Sequence, residues 1–224
     1  MERDNFSSLN PFPENSSESF LLSTDKDLFI SWTEQVLDSN FLYVTKLEGG
    51  SWSNKKLITK GTDWFVNWAD FPSISYNNLS NSIFSFHLQK SSEETFSYDV
   101  NYHINSKETW KDMNKIHDDN TFSEHGFVSS IPYKDGFMVS WLDGRNTYGV
   151  GDHGHAKGAM TIRSAVLDSN GNIVSQNVID EMVCECCQTS MAISGDIPIV
   201  VYRDRSEGEI RDIYYSRYID SNWA

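Results

Sequence analysis

Cysteine and basic residues are scarce in this sequence of 224 amino acids. The three cysteines, Cys184, Cys186 and Cys187, lie within four positions, unlike the spread, even-numbered disulfide framework of a small secreted domain. The 18 basic residues are outnumbered by 32 acidic ones, and the net charge of −14 opposes binding to nucleic acid or to an anionic membrane surface. No apolar run approaches the roughly 20 residues of a membrane span, and the first residues lack the features of a signal peptide.

Long helical periodicity is also absent, whereas strand signals repeat. Aromatic residues make up 13% of the chain, and polar turn residues are common, which is typical of short strands joined by turns. An apolar strand with an aromatic end recurs at 28–32, 82–86, 137–141 and 197–202, and its last residues lie 54, 55 and 61 positions apart. A strand precedes each at 19–23, 72–76, 127–131 and 189–193, and an alternating strand follows at 41–45, 96–102, 160–166 and 210–217.

A fourth strand completes three of the units near residues 56–59, 114–117 and 177–180, but the last unit reaches Asn222 and Trp223 and stops. Such a repeat predicts the four-stranded antiparallel blades of an all-β propeller, because a lone blade cannot bury both faces. We expect about four blades, at about 19–60, 71–117, 125–180 and 188–224, after a mobile lead-in over residues 1–18. The alternative is a β-sandwich, whose strands lack so regular a long period.

The unusual residues are predicted to meet on one face of this propeller. Chain direction alternates at every strand, so the turn between the second and third strands and the crossover to the next blade share a face. The turns are predicted at 33–40, 87–95, 142–158 and 203–209, and the crossovers at 60–71, 117–124 and 181–188. A site on this face is the first hypothesis.

Charged and aromatic groups in these loops are the candidate site residues. Guanidinium groups bind carboxylates in two-point geometry, so the loop arginines are candidates for binding an anionic ligand; alternatively, each braces its loop by pairing with a neighbouring carboxylate. Exposed tryptophan beside carboxylate is the composition of a sugar platform, although packing between blades uses the same residues. The candidates for substrate binding are Arg145, Arg203, Arg205, Glu209, Trp68 and Asp70, with Trp64 and Asp63 beside them, and the acid/base candidates are Asp143 and Asp204.

The cysteine cluster allows three interpretations. Its thiols bind a metal as thiolates, form a disulfide, or stay reduced and pack. His153 and His155 on the predicted loop 142–158 would complete a metal site if they reach across. Adjacent cysteines differ from the usual two-residue spacing of zinc ligands, so a metal or redox protein is the lesser alternative and no cofactor is expected.

The blade pattern and three local motifs resemble the sialidase-like, BNR-repeat propeller proteins of bacteria. The motifs are Trp141-Leu142-Asp143-Gly144-Arg145-Asn146, Cys184-Glu185-Cys186-Cys187 and Tyr202-Arg203-Asp204-Arg205. The resemblance implies a six-bladed propeller, of which this chain covers about four blades, and an exo-α-sialidase activity in which three arginines hold the sugar carboxylate. It also implies a periplasmic or secreted location for the full-length form. The family's Asp box survives only in degenerate form at residues 103–110.

The chain departs from the family in its catalytic residues. Arg3 is the only arginine before Arg145, and the nucleophilic tyrosine of sialidases belongs to late blades that this chain does not contain. The resemblance therefore transfers the fold and leaves the activity open. Two functions follow as hypotheses: a glycoside hydrolase acting on an acidic glycan, and a non-catalytic propeller that binds a glycan or a protein.

An incomplete propeller is expected to self-associate. The predicted last blade has no outer strand, and an open arc exposes sheet edges and apolar inner faces. Light scattering on the 224-residue protein is expected to show concentration-dependent association. A compact, non-associating monomer with one cooperative melting transition would contradict the predicted open arc.

Overall fold

The structure, a computed structural model, describes residues 10–107, 109–149 and 158–224. Every regular element in these ranges is a β-strand, and none of the described residues forms a helix long and apolar enough to cross a membrane. The strands form four antiparallel sheets in chain order, and the outer strand of the first sheet is divided in two. This all-β arrangement of successive four-stranded blades confirms the predicted β-propeller fold.

The four blades have the following strands. Blade 1 contains β1 (Ser16–Ser23), β2 (Leu28–Val36), β3 (Ser39–Glu48), β4 (Ser51–Trp52) and β5 (Lys56–Gly61), and blade 2 contains β6 (Ile74–Asn77), β7 (Ser82–Lys90), β8 (Tyr98–Ser106) and β9 (Thr109–Lys115). Blade 3 contains β10 (His125–Tyr133), β11 (Gly136–Asp143), β12 (Thr161–Leu167) and β13 (Ile173–Asp180), and blade 4 contains β14 (Ser190–Ser194), β15 (Ile197–Arg203), β16 (Ile213–Ile219) and β17 (Asn222–Trp223).

The core consists of apolar clusters between successive blades. Strand β11 is buried along its whole length because its two faces pack against different neighbours. Phe137 and Trp141 point into a cluster shared with blade 2, whereas Met138 and Leu142 point into one shared with blade 4. The two-residue period of a strand therefore sorts one sequence into two interfaces. The innermost strands β1, β6, β10 and β14 contact one another in series.

Blade 4 has the outer strand that the sequence analysis predicted to be missing. Asp220 and Ser221 both have positive φ, 50° and 64°, the conformation of a two-residue type I′ hairpin turn. The turn folds β17 back on β16, and Arg217 and Ala224 exchange backbone hydrogen bonds of 2.7 and 2.9 Å. A strand of two residues is too short to show an alternating pattern, so no such pattern could indicate it.

Several other boundaries differ from prediction. Strand β1 begins at Ser16, inside the stretch predicted as lead-in. The first turn of the predicted loops is only two residues long, because β2 and β3 pair as far as Val36 and Ser39. Strand β16 begins at Ile213, so Arg211 and Asp212 lie in the preceding turn and not, as predicted, on a strand.

Trp223 should contribute measurably to stability, because it ties blade 4 to blade 3. Its indole lies 5.2 Å from the ring of Tyr218, and its Nε1 donates a hydrogen bond of 2.8 Å to Ser164 Oγ on β12. We expect Trp223→Ala to lower the free energy of unfolding in urea by about 2 kcal/mol, since the side chain is half buried. Trp223→Phe, which keeps the ring and loses the donor, should cost about 1 kcal/mol. A Trp223→Ala protein as stable as the wild type would show that β17 is not anchored.

Candidate functional site

The loops predicted to share one face do lie together. We call this end of the propeller the loop face; it carries the β2–β3, β7–β8, β11–β12 and β15–β16 turns and the three crossovers between blades. Backbone hydrogen bonds of 2.8 to 3.0 Å join each crossover to the following blade, from Phe65 N to Leu88 O, from Gly144 N to Glu124 O and from Cys184 N to Arg203 O. Side chains from different blades therefore meet on the loop face.

A cluster of carboxyl groups surrounds Tyr98 on this face. Asp70, at the end of the first crossover, is 2% exposed and forms hydrogen bonds with Phe127 N (2.9 Å) and Tyr98 Oη (3.0 Å). Burial raises the pKa of Asp70 to about 7 against the lowering effect of these two bonds, and the nearby Glu124 and Glu18 raise it further. Burial likewise raises the pKa of Glu18 to about 7 and raises that of Glu124.

The phenol of Tyr98 implies that the cluster holds a proton. Its oxygen lies 3.0 Å from Asp70 Oδ2 and 2.7 Å from Glu124 Oε1, but it carries only one hydrogen. Both contacts are hydrogen bonds only if one carboxyl group is protonated and donates to the phenol oxygen. Asp70 is the buried member of the pair, and its raised pKa assigns the proton to it up to about neutral pH.

Gly126 makes the close approach of Asp70 to β10 possible. A Cβ at this position would collide with Asp70 Oδ2 and lie 2.8 Å from Tyr98 Cε2. The next backbone amide, that of Phe127, donates to Asp70 Oδ1. The absence of a side chain at residue 126 therefore lets the carboxyl group reach the backbone of blade 3.

Asp70 lines a cavity of about 290 Å³ between the innermost strands, bounded also by Phe71, Gln188 and Thr189. An adjacent depression is lined by Glu18, Trp68 and Phe71. The two tryptophans of the first crossover differ in environment. Trp64 is 7% exposed and stacks on His87 at 4.4 Å, whereas Trp68 is 87% exposed. Trp64 thus packs between strands, and the indole of Trp68 is open to solvent beside Glu18.

Asp143 and Arg145 form a tight ion pair at the end of β11. Asp143 is fully buried and accepts bonds from Arg145 Nε (2.7 Å), Arg145 Nη2 (2.8 Å) and Trp141 Nε1 (2.9 Å). Burial alone would raise the pKa of Asp143, but the bonds and charge of Arg145 outweigh it and hold the pKa below its usual range. Arg145 Nη1 also donates to Asp118 at 2.7 Å. This arginine therefore braces two loops, which is the structural role that the sequence analysis set against binding of an anionic ligand.

A stacked pair of histidines lies next to this ion pair. The rings of His117 and His125 are parallel, with centroids 3.8 Å apart. His117 Nδ1 lies 2.8 Å from Asp119 Oδ1, and His125 Nε2 lies 3.2 Å from Asp119 Oδ2. Burial by itself lowers the pKa of His117, but Asp119 and Asp99 outweigh it and the pKa lies above its ordinary value. The pKa of Asp119 is held low, since the two histidines outweigh the raising effect of burial.

Two sets of histidine and carboxylate ligand atoms near this pair approach within 4.8 Å, but neither fits a metal ion as it stands. In the set of Asp99, His117 and His125, the imidazole planes are parallel and stacked, so no point lies in both planes, and one ion cannot meet both ring lone pairs. In the set of Asp119, His125 and Asp143, the two carboxylates already bind a cationic side chain. Arg145 Nε lies 2.7 Å from Asp143 Oδ1 and 3.4 Å from Asp119 Oδ2.

A second ion-pair network joins the third crossover to blade 4. Arg205 donates to Glu209 (2.6 Å) and to Glu185, and Arg211 donates to Glu209 (3.0 Å). Arg203 is exposed and has no carboxylate within ion-pair distance among the described residues. Asp204 is buried, and its backbone amide donates to Asp212 O. Arg145 and Arg205 thus belong to separate networks with partners of their own.

The cysteine cluster contains a disulfide. Cys184 and Cys187 are bonded, and Cys186 is a free, exposed thiol. A bonded sulfur is not a thiolate ligand, so the three cysteines do not hold a metal in this state. His153 and His155, the predicted partners of a metal site, lie outside the described residues.

Sequence reasoning missed Glu18, Tyr98, Glu124 and the stacked histidines. His117 and Glu124 bound the second predicted crossover, so the topology could have flagged them and His125, which follows at once. Nothing local marks Tyr98 or Glu18, because their importance comes from contacts with residues 26 to 49 positions away.

No protein-family model matches this sequence, and no curated protein is detectably similar to it. Solved structures are similar in fold. A Pyrococcus horikoshii acylaminoacyl peptidase matches with a TM-score of 0.50 and 12% identity, over 92% of this chain and 32% of that one. A Trypanosoma rangeli sialidase in complex with the inhibitor DANA has a TM-score of 0.49 and 8% identity, over 96% of this chain and 35% of that one. A Cellvibrio cellulosa α-L-arabinanase complexed with arabinohexaose has a TM-score of 0.46 and 8% identity, over 95% of this chain and 77% of that one.

The protonation of Asp70 should appear in the pH dependence of stability. Its folded-state pKa of about 7 lies above its ordinary 3.8, so the stabilisation is complete below about pH 4 and is lost as the pH rises through 7. Asp70→Asn mimics the protonated acid. The unfolding free energy of the wild type minus that of Asp70→Asn is therefore expected to fall by up to about 1.4 kcal/mol per pH unit between pH 4 and 7.

This difference is the measured quantity, because other groups titrate in the same range. Burial lowers the pKa values of His87 and His103 to about 4, which makes stability rise with pH up to about 6.5, and subtraction removes that contribution. Asp196→Asn, an exposed change in the β14–β15 turn on the opposite face, is the control and should give a flat difference. A flat difference for Asp70→Asn as well would contradict the raised pKa.

Proposed function

We propose that the loop face binds a glycan and that the protein is a glycoside hydrolase of the sialidase-like type. The observation that carries the proposal is a buried carboxyl group, Asp70, that keeps its proton to about pH 7, lines an axial cavity and lies two residues from the exposed indole of Trp68. Glycosidic cleavage needs a carboxylic acid that is protonated near neutral pH and a second carboxylate that is ionised. An exposed indole offers a flat apolar surface for a sugar ring.

In this proposal Asp70 is the general acid. Its proton would pass to the leaving-group oxygen, and the Tyr98 phenol would then donate its single hydrogen to the carboxylate that forms. Glu124, which faces the same phenol at 2.7 Å, and Glu18, beside Trp68, also have raised pKa values, so they do not supply the ionised second carboxylate. Asp143 and Asp204 remain candidates for base catalysis. The lowered pKa of Asp143 suits a base and not an acid.

An acidic glycan is the proposed substrate class. Of the three arginines proposed for carboxylate binding, Arg203 has an exposed guanidinium without a carboxylate partner among the described residues, and it is the first candidate to bind a sugar carboxylate. Arg145 and Arg205 would act by holding the loops in place, with Glu209 as the partner of Arg205. The alternative is a non-catalytic glycan-binding propeller that uses the same Trp68 platform.

Substitutions at Trp68 and Asp70 separate binding from catalysis. Trp68→Ala is expected to weaken glycan binding about tenfold, through the loss of a stacking surface, without changing the melting temperature, because the side chain is 87% exposed. Leu79→Ala, which is 81% exposed on the β6–β7 turn of the opposite face, is the matched control. Binding is measured on a panel of sialosides, uronosides and neutral glycosides.

Turnover of the same panel tests the catalytic role. Asp70→Asn is expected to abolish release of the aglycone while glycan binding persists, and Asp196→Asn should leave both unchanged. Binding that Trp68→Ala weakens, without turnover by the wild type, would support the non-catalytic alternative. If no glycan of the panel binds, or if Trp68→Ala binds as the wild type does, the loop face is not a glycan site.

A further inference from the structure

The Cys184–Cys187 disulfide contributes little to the stability of the fold. Only two residues separate the bonded cysteines, and a disulfide restricts the unfolded chain least when the loop it closes is short. The crossover that carries it is already held to blade 4 by the bond from Cys184 N to Arg203 O and by the bridge between Val183 and Asp204. Stabilisation of the chain therefore does not account for this disulfide.

The two sulfur atoms differ in access. Cys184 is 2% exposed and packs beside the cluster between blades 3 and 4, whereas Cys187 is only partly buried. A thiolate from solution attacks a disulfide along the S–S axis at the sulfur that it can reach. Here that sulfur is Cys187 Sγ, and Cys184 Sγ would be the leaving group.

Each sulfur lies near a guanidinium group. Arg211 Nη1 is 3.9 Å from Cys184 Sγ, and Arg203 Nη1 is 3.9 Å from Cys187 Sγ. A nearby positive charge stabilises a thiolate, so it favours both the departure of a cysteine sulfur and the reduced state. The charge of Arg211 is shared with Glu209 at 3.0 Å and Glu185 at 3.5 Å. Arg203 has no carboxylate within ion-pair distance among the described residues, which leaves its charge available to Cys187.

We propose that Cys184 and Cys187 form a redox-active pair that exchanges with a dithiol. One thiolate of the dithiol attacks Cys187 Sγ, the S–S bond breaks, and Cys184 leaves with the electron pair as a thiolate beside Arg211. The second thiol of the reductant then displaces Cys187, which forms the disulfide of the reductant and frees a second cysteine thiolate. Two electrons pass to the protein, and the two protons of the reductant go to the cysteines or to the buffer.

Reduction in the native state, with dithiothreitol as the dithiol, is the first test. Free thiols are counted by alkylation and mass spectrometry while near-ultraviolet circular dichroism reports the fold. We expect the wild type to change from one free thiol to three without unfolding. Arg203→Gln should shift the equilibrium about tenfold toward the disulfide, since the stabilising charge beside Cys187 is lost.

Arg217→Gln is the matched control, because Arg217 is an exposed arginine on β16 and donates its backbone amide to Ala224 O at the far side of blade 4. The disulfide of the Arg217→Gln protein should be reduced as readily as that of the wild type. A disulfide that resists dithiothreitol until urea unfolds the protein would overturn the proposal. Equal behaviour of Arg203→Gln and Arg217→Gln would overturn the role assigned to Arg203.

The second test identifies the sulfur that reacts. The double variant Cys184→Ser/Cys186→Ser leaves only Cys187, and Cys187→Ser/Cys186→Ser leaves only Cys184. With glutathione disulfide as the probe, the first variant should form a mixed disulfide at least about tenfold faster than the second, because burial blocks access to Cys184. Equal rates, or a faster reaction of Cys184, would contradict the proposed order of attack.

Discussion

The contacts of Tyr98 hold the candidate site together. This residue starts β8 and is fully buried, and its ring stacks on Phe65 of the first crossover with centroids 4.1 Å apart. Its backbone amide donates to Ser123 O of the second crossover, and its phenol lies between Asp70 and Glu124. One side chain therefore connects two crossovers that are far apart in sequence, and its single hydroxyl hydrogen dictates that the carboxyl pair shares a proton.

Two buried aspartates on the same face have opposite pKa shifts, and the difference lies in their partners. Asp70 is 2% exposed and Asp143 fully buried, so loss of hydration favours the neutral acid in both. Asp143 gains three bonds from Arg145 and Trp141, one partner being fully charged, whereas Asp70 gains one amide and one phenol and lies near other carboxylates. The loop face thus contains one carboxyl group with a raised pKa and one with a lowered pKa, and the proposed acid/base role depends on this difference.

The sequence predicted what depends on local pattern. The two-residue alternation and the long repeat located the blades, and the alternation of chain direction located the loop face, because both follow from strand geometry alone. It did not predict the two-residue strand β17, which is too short to carry a pattern. Nor did it separate Trp64 from Trp68, since these residues lie four positions apart in the same loop and differ only in what packs over them.

The pKa shifts were beyond the reach of the sequence for a related reason. The state of Asp70 depends on burial and on Tyr98, Glu124 and Glu18, which come from three different segments of the chain. The ion pair of Asp143 was easier to infer from the sequence, because its partner Arg145 is two residues away and this pairing was one of the two alternatives considered. Groups whose chemistry is set by close neighbours can be read from a sequence, and groups whose chemistry is set by the fold cannot.

The distribution of positive charge on the loop face limits what it can recognise. Arg145 and Arg205 are neutralised by carboxylates at 2.6 to 2.7 Å, in a protein whose net charge is −14. An acidic ligand that bound to either would have to displace a carboxylate that is already in place, and the loss of that ion pair would oppose binding. Recognition of a sugar carboxylate would therefore fall to Arg203, the same guanidinium that lies beside Cys187. A thiolate formed at Cys187 would compete for that charge, so reduction of the disulfide and binding of an acidic ligand at Arg203 should oppose each other.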